Sequence, residues 1–364
     1  MKLAHFESLK PICPACKTLN TSSELRLTVF RSDALSVESG ALTCNDPRCR
    51  KIFPIIFGVP ILVPDPSGWL TANFHLLLQR DVGDPDLEAL IGQMVSPDTA
   101  FTISRQQQFS YCFDHYKQEI LSGNANGDVN TNSSTIRTCL DQALRDLPTN
   151  RLPIIDLGCA VGGTTFHIAS QRKTLTLGVD LNWPFLGIAR NIMDFGKSPY
   201  PHRVIGNEFQ TREIVAHPDS ASLTDFWIAD ALHLPFSADS FGCAVAFNLI
   251  DCVPSPIRLV QSITDILHTE SGACITTPYD WASHATPPSD WISDHPGFNA
   301  LLQRLNSDPS GNGGKFLSEI TPPTNFEWRL PIHSRAEMVY QSEMNLLRVT
   351  SDHSHVDQAT RQSK

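Results

Sequence analysis

The feature that most constrains this chain is the run Ile154-Ile155-Asp156-Leu157-Gly158-Cys159-Ala160-Val161-Gly162-Gly163. A short apolar stretch ends in an acid, a glycine-rich turn follows, and a helical pattern runs from Thr164 to Ser170. Open α/β sheets use such a strand, tight loop and helix start to hold a nucleotide-like ligand at the carboxyl end of the strand. About 24 residues on, Leu175-Thr-Leu-Gly-Val-Asp180 reads as a second apolar strand that also ends in an acid. That is the spacing at which a second-strand carboxylate reaches ribose hydroxyls.

From Leu152 to about Ser351 strand and helix patterns alternate, the mark of a parallel α/β sheet. Strands are expected near 153–157, 174–180, 225–229, 241–247 and 272–277, with helices near 162–171, 183–194 and 255–268. Two more strand-like runs lie near 326–332 and 344–350. The chain divides into a cysteine-rich unit over 1–65, a mostly helical stretch over 66–150, the α/β part over 151–351 and a frayed tail over 352–364. Polar residues without apolar anchors predict mobile loops at 123–134 and from Asn306 to Gly314.

The formal net charge is −10, and the excess of acid lies beyond the cysteine-rich start. An acidic main domain without a basic stripe is a poor match for a nucleic-acid backbone. The start of the chain is polar with no apolar run of signal-peptide type, and the apolar runs at Ile55–Val63 and Leu175–Val179 are too short to span a bilayer. Ten cysteines then point to a reducing, cytoplasmic setting; the sequon at Asn132-Ser133-Ser134 reads as chance.

Cys13-Pro-Ala-Cys16 and Cys44-Asn-Asp-Pro-Arg-Cys49 form two close pairs. Two such turns supply four soft ligands for a tetrahedral zinc ion, and a four-thiolate shell is closed and therefore structural. A redox Cys-x-x-Cys would not need the second pair. The second pair and the following Phe53-Pro-Ile-Ile-Phe-Gly-Val-Pro-Ile-Leu-Val-Pro64 resemble the zinc-ribbon activator proteins that accompany RNA and protein methyltransferases. That resemblance implies a methyltransferase partner, here on the same chain.

Asp156-x-Gly158-Cys-x-x-Gly162 in turn resembles motif I of class I S-adenosylmethionine-dependent methyltransferases. Cys159 and Ala160 break the dinucleotide Gly-x-Gly-x-x-Gly pattern. S-adenosylmethionine carries a cationic amine and sulfonium rather than phosphate, so an acid at the loop is useful. Trp227-Ile-Ala-Asp230-Ala231-Leu-His-Leu-Pro-Phe236 is similar to the family segment whose acid accepts from the adenine amine. The resemblance implies a Rossmann-like seven-stranded sheet, with Asp156, Gly158, Gly162, Asp180, Leu181, Asp230, Ala231 and Asn248 around the cofactor. Each acid alone reads first as a strand-end or cap residue; their order and spacing carry the inference.

The fourth strand runs into Phe247-Asn248-Leu-Ile-Asp251, which faces the transferred methyl in this fold. No Asn/Asp-Pro-Pro-Tyr signature follows, which weighs against exocyclic-amine methylation of DNA or glutamine. Thr276-Thr-Pro-Tyr279-Asp-Trp281 and the late Trp328…Arg335…Tyr340 resemble the imidazole N-methyltransferase domain of ovothiol biosynthesis, without its sulfoxide synthase module. The implied acceptor is small, polar or heteroaromatic, with Asp251, Tyr279 and Tyr340 as the catalytic candidates and Trp281 as a further wall. The cluster Phe109-Ser-Tyr111-Cys-Phe-Asp-His115-Tyr116 sits at helical spacing and reads either as core or as a lid. His115, His233, His284 and His333 lack metal-ligand spacing. Two other readings stay open: a zinc-finger rRNA or tRNA methyltransferase, and a non-catalytic activator whose ribbon strand pairs with another enzyme.

Overall fold

The computed structural model describes residues 1–78, 84–122, 134–293, 295–308 and 314–351. Most of the loop expected at 123–134, residues 309–313 of the second loop and the tail at 352–364 lie outside the described residues. Asn306 and Ser307, expected in that second loop, instead close a helix.

The first unit holds two short helices, α1 (Leu3–Leu9) and α2 (Pro14–Lys17), and four strands, β1 (Leu25–Ser32), β2 (Val37–Cys44), β3 (Ile52–Ile56) and β4 (Val59–Leu62). The strands pair antiparallel in sequence order. Phe57 and Gly58 both take positive φ, 48° and 77°, which gives the two-residue turn between β3 and β4 the twist of its strands.

Five helices follow: α3 (Pro66–Leu77), α4 (Pro85–Met94), α5 (Ala100–His115), α6 (Lys117–Ser122) and α7 (Thr135–Asp146). On α7, Ile136, Cys139, Leu140, Ala143 and Leu144 recur at one-turn spacing and are buried, so packing rather than propensity holds this helix.

Then come β5 (Ile154–Leu157), α8 (Gly163–Arg172), β6 (Thr176–Asp180), α9 (Trp183–Phe195), β7 (Lys197–Ile205), β8 (Glu208–Val215), β9 (Thr224–Ala229), β10 (Phe241–Ala246), α10 (Pro256–Ile266), β11 (Leu267–Thr277), α11 (His295–Ser307), β12 (Phe316–Glu319), β13 (Thr324–His333) and β14 (Ala336–Thr350). The order across the main sheet is β9-β6-β5-β10-β11-β14-β12, with β13 as an extra strand paired antiparallel to the first part of β14. All neighbours from β9 to β11 are parallel; β14 runs antiparallel to β11 and to β12. The expected α/β class with a seven-stranded, parallel-core sheet is therefore present, preceded by the four-cysteine unit.

Strand order reverses at β5, between β6 and β10, which opens the crevice where α/β sheets bind ligands. The strands around it are apolar because both faces are covered: every residue of β5, β9 and β10 is buried. Helix α9 closes one face with Phe185, Leu186, Ile188, Ala189, Ile192 and Met193, each worth about 1–3 kcal/mol for the larger side chains. Asn182 caps it, accepting from the Phe185 N–H at 3.2 Å.

Three features depart from the expected elements. β7 and β8 form a separate hairpin where no element was expected. Pro199 and Pro201 lie in β7, where they cost little because, among the described residues, its outer edge has no further strand to donate to. β11 starts at Leu267, five residues before the expected strand, and cuts the preceding helix short. Finally, β4 pairs parallel with β9, Ile61 with Ile228 and Leu62 with Ala229, so the first unit and the main domain share one twelve-stranded sheet.

Candidate functional site

The loop after β5 is built by its own acids. The Asp156 carboxylate is buried and accepts from the hydroxyls of Thr164 (2.7 Å) and Thr165 (2.6 Å), which fixes the start of α8 beneath the loop. Burial pushes its carboxyl up to about 6, against the pull of those two hydroxyls. The N–H groups of Gly158 and Cys159 both donate to the Val179 carbonyl, at 2.9 and 3.1 Å. Asp180 closes the loop from the second strand: its Oδ2 accepts from the Ala160 N–H at 3.0 Å and its Oδ1 from the Asn182 N–H at 2.8 Å. Burial raises this carboxyl too.

Two glycines are required by geometry. Gly158 has φ +66°, and a Cβ there would meet Leu249 Cδ1 at 3.0 Å. Gly162 has φ +83°, and a Cβ would fall 2.7 Å from the Phe226 ring and 2.8 Å from Ala189.

Asp156, Gly158, Ala160 and Asp180 line a cleft that encloses about 100 Å³ and spans about 580 Å³ with the space open to solvent. From the segment just after β10 come Phe247, Asn248, Leu249 and Cys252; from the helical region come Tyr111 and His115; Trp328 comes from β13. Asn248 has φ +48° and is tightly held. Its Oδ1 accepts from Thr276 (2.9 Å) and Ser342 (3.0 Å), yet its Nδ2 is buried with no partner among the described residues. A buried, unpaired donor costs about 1–3 kcal/mol and wants an acceptor.

Helix α5 serves both as core and as cleft wall. Phe109 and Cys112 are buried, while Tyr111 and His115 reach the cleft. The Gly163 N–H donates to His115 Nδ1 at 3.1 Å, so the imidazole proton sits on Nε2. Burial, aided by the charge of Arg137, pushes this imidazole down to about 3 and keeps it neutral. Tyr111 packs edge-on against Phe185 with centroids 5.2 Å apart. Trp328 stacks on Tyr340 at 5.1 Å, and its Nε1 donates to Asp114 at 2.9 Å. Burial pushes the Asp114 carboxyl up to about 7.

The other candidates lie outside this lining. Gly162 packs beneath the loop, Leu181 is exposed, and Ala231 follows Asp230 in the turn after β9. Asp230 accepts from the Leu232 N–H (2.9 Å) and from His233 Nδ1 (2.7 Å), which leaves each oxygen a further lone pair. Asp251 is buried next to cleft-lining Cys252 and accepts from the Asp280 N–H at 3.0 Å. Tyr279, at φ +56°, donates its hydroxyl to Glu343 at 2.6 Å. Trp281 donates to the Ile292 carbonyl at 2.9 Å and packs on the core. Tyr111, His115, Phe185 and Cys252 carry no local motif that assigns them to a site; the helical spacing around Tyr111 and His115 was the only signal available.

Cys13, Cys16, Cys44 and Cys49 bring their sulfurs within 4.8 Å of one another. Cys13 and Cys49 are 3.8 Å apart, Cys16 and Cys44 3.6 Å. A tetrahedral site with Zn–S bonds of about 2.3 Å has edges of about 3.8 Å, so the cluster is consistent with a zinc site and far too open for disulfides.

No protein-family model and no curated protein matches the chain. Among solved structures, the [4+2]-cyclase SpnF is 12% identical with a TM-score of 0.42, over 68% of this chain and 98% of that one. An S-adenosylmethionine-dependent methyltransferase of Methanosarcina mazei is 14% identical with a TM-score of 0.38, over 57% and 97%. A phosphoethanolamine N-methyltransferase of Haemonchus contortus is 14% identical with a TM-score of 0.38, over 62% and 45%. None of these likenesses is close enough to carry an activity across.

Proposed function

We propose that the chain is an S-adenosylmethionine-dependent methyltransferase acting on a small, neutral or cationic acceptor. The observation that carries this reading is the donor set of the cleft. Asp156 and Asp180 hold the loop after β5, and no Lys or Arg is among the described lining residues. Such a cleft suits a ligand with cationic groups and no phosphate. The partnerless Nδ2 of Asn248 offers that ligand a hydrogen bond. Asp180 would take the ribose hydroxyls on its remaining lone pairs, with Gly158, Gly162 and Leu181 shaping the loop around them. Asp230 and Ala231 would meet the adenine.

S-adenosylmethionine supplies an already activated methyl group, so the chain's task is placement and exclusion of water. Tyr111, Phe247 and Trp328 wall the cleft on the acceptor side, with Tyr340 stacked behind Trp328. Neutral His115 offers an Nε2–H donor and cannot serve as a base. We assign Asp251, raised to about 6 by burial, as the group that takes a proton from an acceptor arriving protonated. Tyr279 and Tyr340 orient its surroundings. A planar imidazole-like amine or a thiol fits this chemistry. A polyanionic RNA acceptor finds no Lys or Arg among the described lining residues. The four-cysteine cluster is read as a structural zinc site with a closed shell.

The test is calorimetric titration of S-adenosylmethionine into the protein and its Asp180→Ala variant, with transfer of labelled methyl to a panel of imidazoles, thiols and small amines. Binding by the parent, lost in the variant, is expected. Equal affinity of the two would remove the site assignment.

A further inference from the structure

A second cavity, of about 530 Å³, lies on another face of α5. The helix turns Tyr111 and His115 to the cleft and Phe109 and Phe113 to this cavity. Phe109, Phe113 and Ile120 give it an apolar wall. The β7–β8 hairpin contributes His202 and Arg212, the end of β13 contributes His333, and the turn between β13 and β14 contributes Arg335.

The charge here opposes that of the chain. Although the chain carries −10 overall, the lining has two guanidinium groups and a single carboxylate, Glu337. That carboxylate is already paired with Arg329 outside the cavity. Arg212 is half-buried and donates to the neutral Gln210 Oε1 at 3.3 Å. Among the described residues neither Arg212 nor Arg335 has a carboxylate partner. His202 is buried with both ring nitrogens engaged, by the Tyr200 hydroxyl at 3.2 Å and Ser334 Oγ at 3.0 Å, so it is wall rather than ligand. Arg212 is partly desolvated and left without a counter-ion, a cost that a bound anion relieves, while Arg335 is exposed at the rim and free to turn onto the same anion. The volume lies in the range of small-molecule sites, where an apolar wall holds the body of a ligand and a few polar groups fix its head.

We propose that this cavity binds a small organic anion, a carboxylate or phosphate ester on an apolar or aromatic body, through Arg212 and Arg335. The site is separate from the cleft and does not depend on the methyltransferase reading.

The test is titration of the full chain with phenyl phosphate, benzoate and octanoate, with inorganic phosphate and benzyl alcohol as controls, followed by calorimetry. Saturable binding of at least one organic anion is expected, about tenfold or more tighter than either control. The double variant Arg212→Gln/Arg335→Gln should weaken it by a similar factor while leaving the melting temperature and S-adenosylmethionine binding unchanged. If the double variant does not fold, Ala336→Glu, which adds a carboxylate to the lining, should produce the same loss. No saturable binding of any of the three anions, or binding indifferent to these substitutions, would overturn the proposal.

Discussion

Replacing Asp251 by Asn should make the protein more stable and less active at once. Burial raises the Asp251 carboxyl from 3.8 to about 6, and the neighbouring Asp280 charge adds to the rise; the N–H groups of Asp251 and Asp280 only partly offset it. A rise of about two units corresponds to about 3 kcal/mol between the two protonation states. The folded state therefore binds this proton more tightly than the unfolded chain does. The favourable contribution is complete below about pH 4, is lost as pH rises through 6, and leaves a charged, buried carboxylate as a net cost at pH 8. Asparagine keeps an oxygen to accept the Asp280 N–H and cannot ionise. The variant should gain about 2–3 kcal/mol over the parent at pH 8 and close to nothing at pH 4. Urea unfolding of both proteins across that range measures the difference. Taking the difference also cancels the slopes from Asp114, Asp156 and Asp180, whose carboxyls are raised for the same reason. Methyl transfer to a protonated acceptor should meanwhile fall by about 10²–10⁴-fold. A stability difference that does not change with pH, or a variant less stable at pH 8, would refute the reasoning.

Two further outcomes follow from the first unit. Stripping the four-cysteine cluster with a strong chelator, or Cys16→Ser, should unfold β1–β3 and weaken S-adenosylmethionine binding, because the Ile12 N–H holds the Pro235 carbonyl at 2.9 Å and Lys17 Nζ the Phe236 carbonyl at 2.7 Å, within the segment that begins at Asp230; unchanged circular dichroism and affinity after metal loss would count against it. Asp225→Ala should cost about 3–5 kcal/mol in denaturant unfolding, since this fully buried carboxylate pairs with Arg190 at 3.2 Å and accepts from the Lys2 N–H at 2.7 Å and Trp227 Nε1 at 2.9 Å; a loss below about 1 kcal/mol would show the pair to be solvated.

The main sheet was legible because its signals are local. Apolar runs ending in Asp156 and Asp180, a loop with glycines at positive φ, and helices with one buried stripe all lie within a few residues of each other. What could not be read was set by pairing at a distance. The β7–β8 hairpin holds two prolines where a strand pattern should donate hydrogen bonds, and only its edge position makes them tolerable. Trp328 reaches the cleft because its indole meets Asp114, more than two hundred residues earlier in the chain. Helix α5 carries both core and cleft residues, so a pattern that reads by default as core also fits a lid. Asp251 is marked in the sequence by its place after the fourth strand; its burial, and hence its raised proton affinity, depends on the Asp280 turn that folds over it.

The pairing of β4 with β9 bears most directly on the choice between an enzyme and an activator of another enzyme. A strand can recruit a partner only through a free edge. β4 has none: β3 occupies one side and β9 the other. Detaching it would break the Ile61 and Leu62 pairings, the Lys17–Asp265 ion pair at 2.8 Å and the Lys2–Asp225 bond. It would also expose Ile61 and Leu62, which are fully buried. The edge left open in the first unit is β1, whose outward residues include Arg26 and Arg31 and which is largely exposed. Both edges of β4 are thus used within this chain. The first unit therefore meets the main domain at the β9 edge and at the segment 230–236 beside it, so the four-cysteine cluster and the cleft are joined through one sheet.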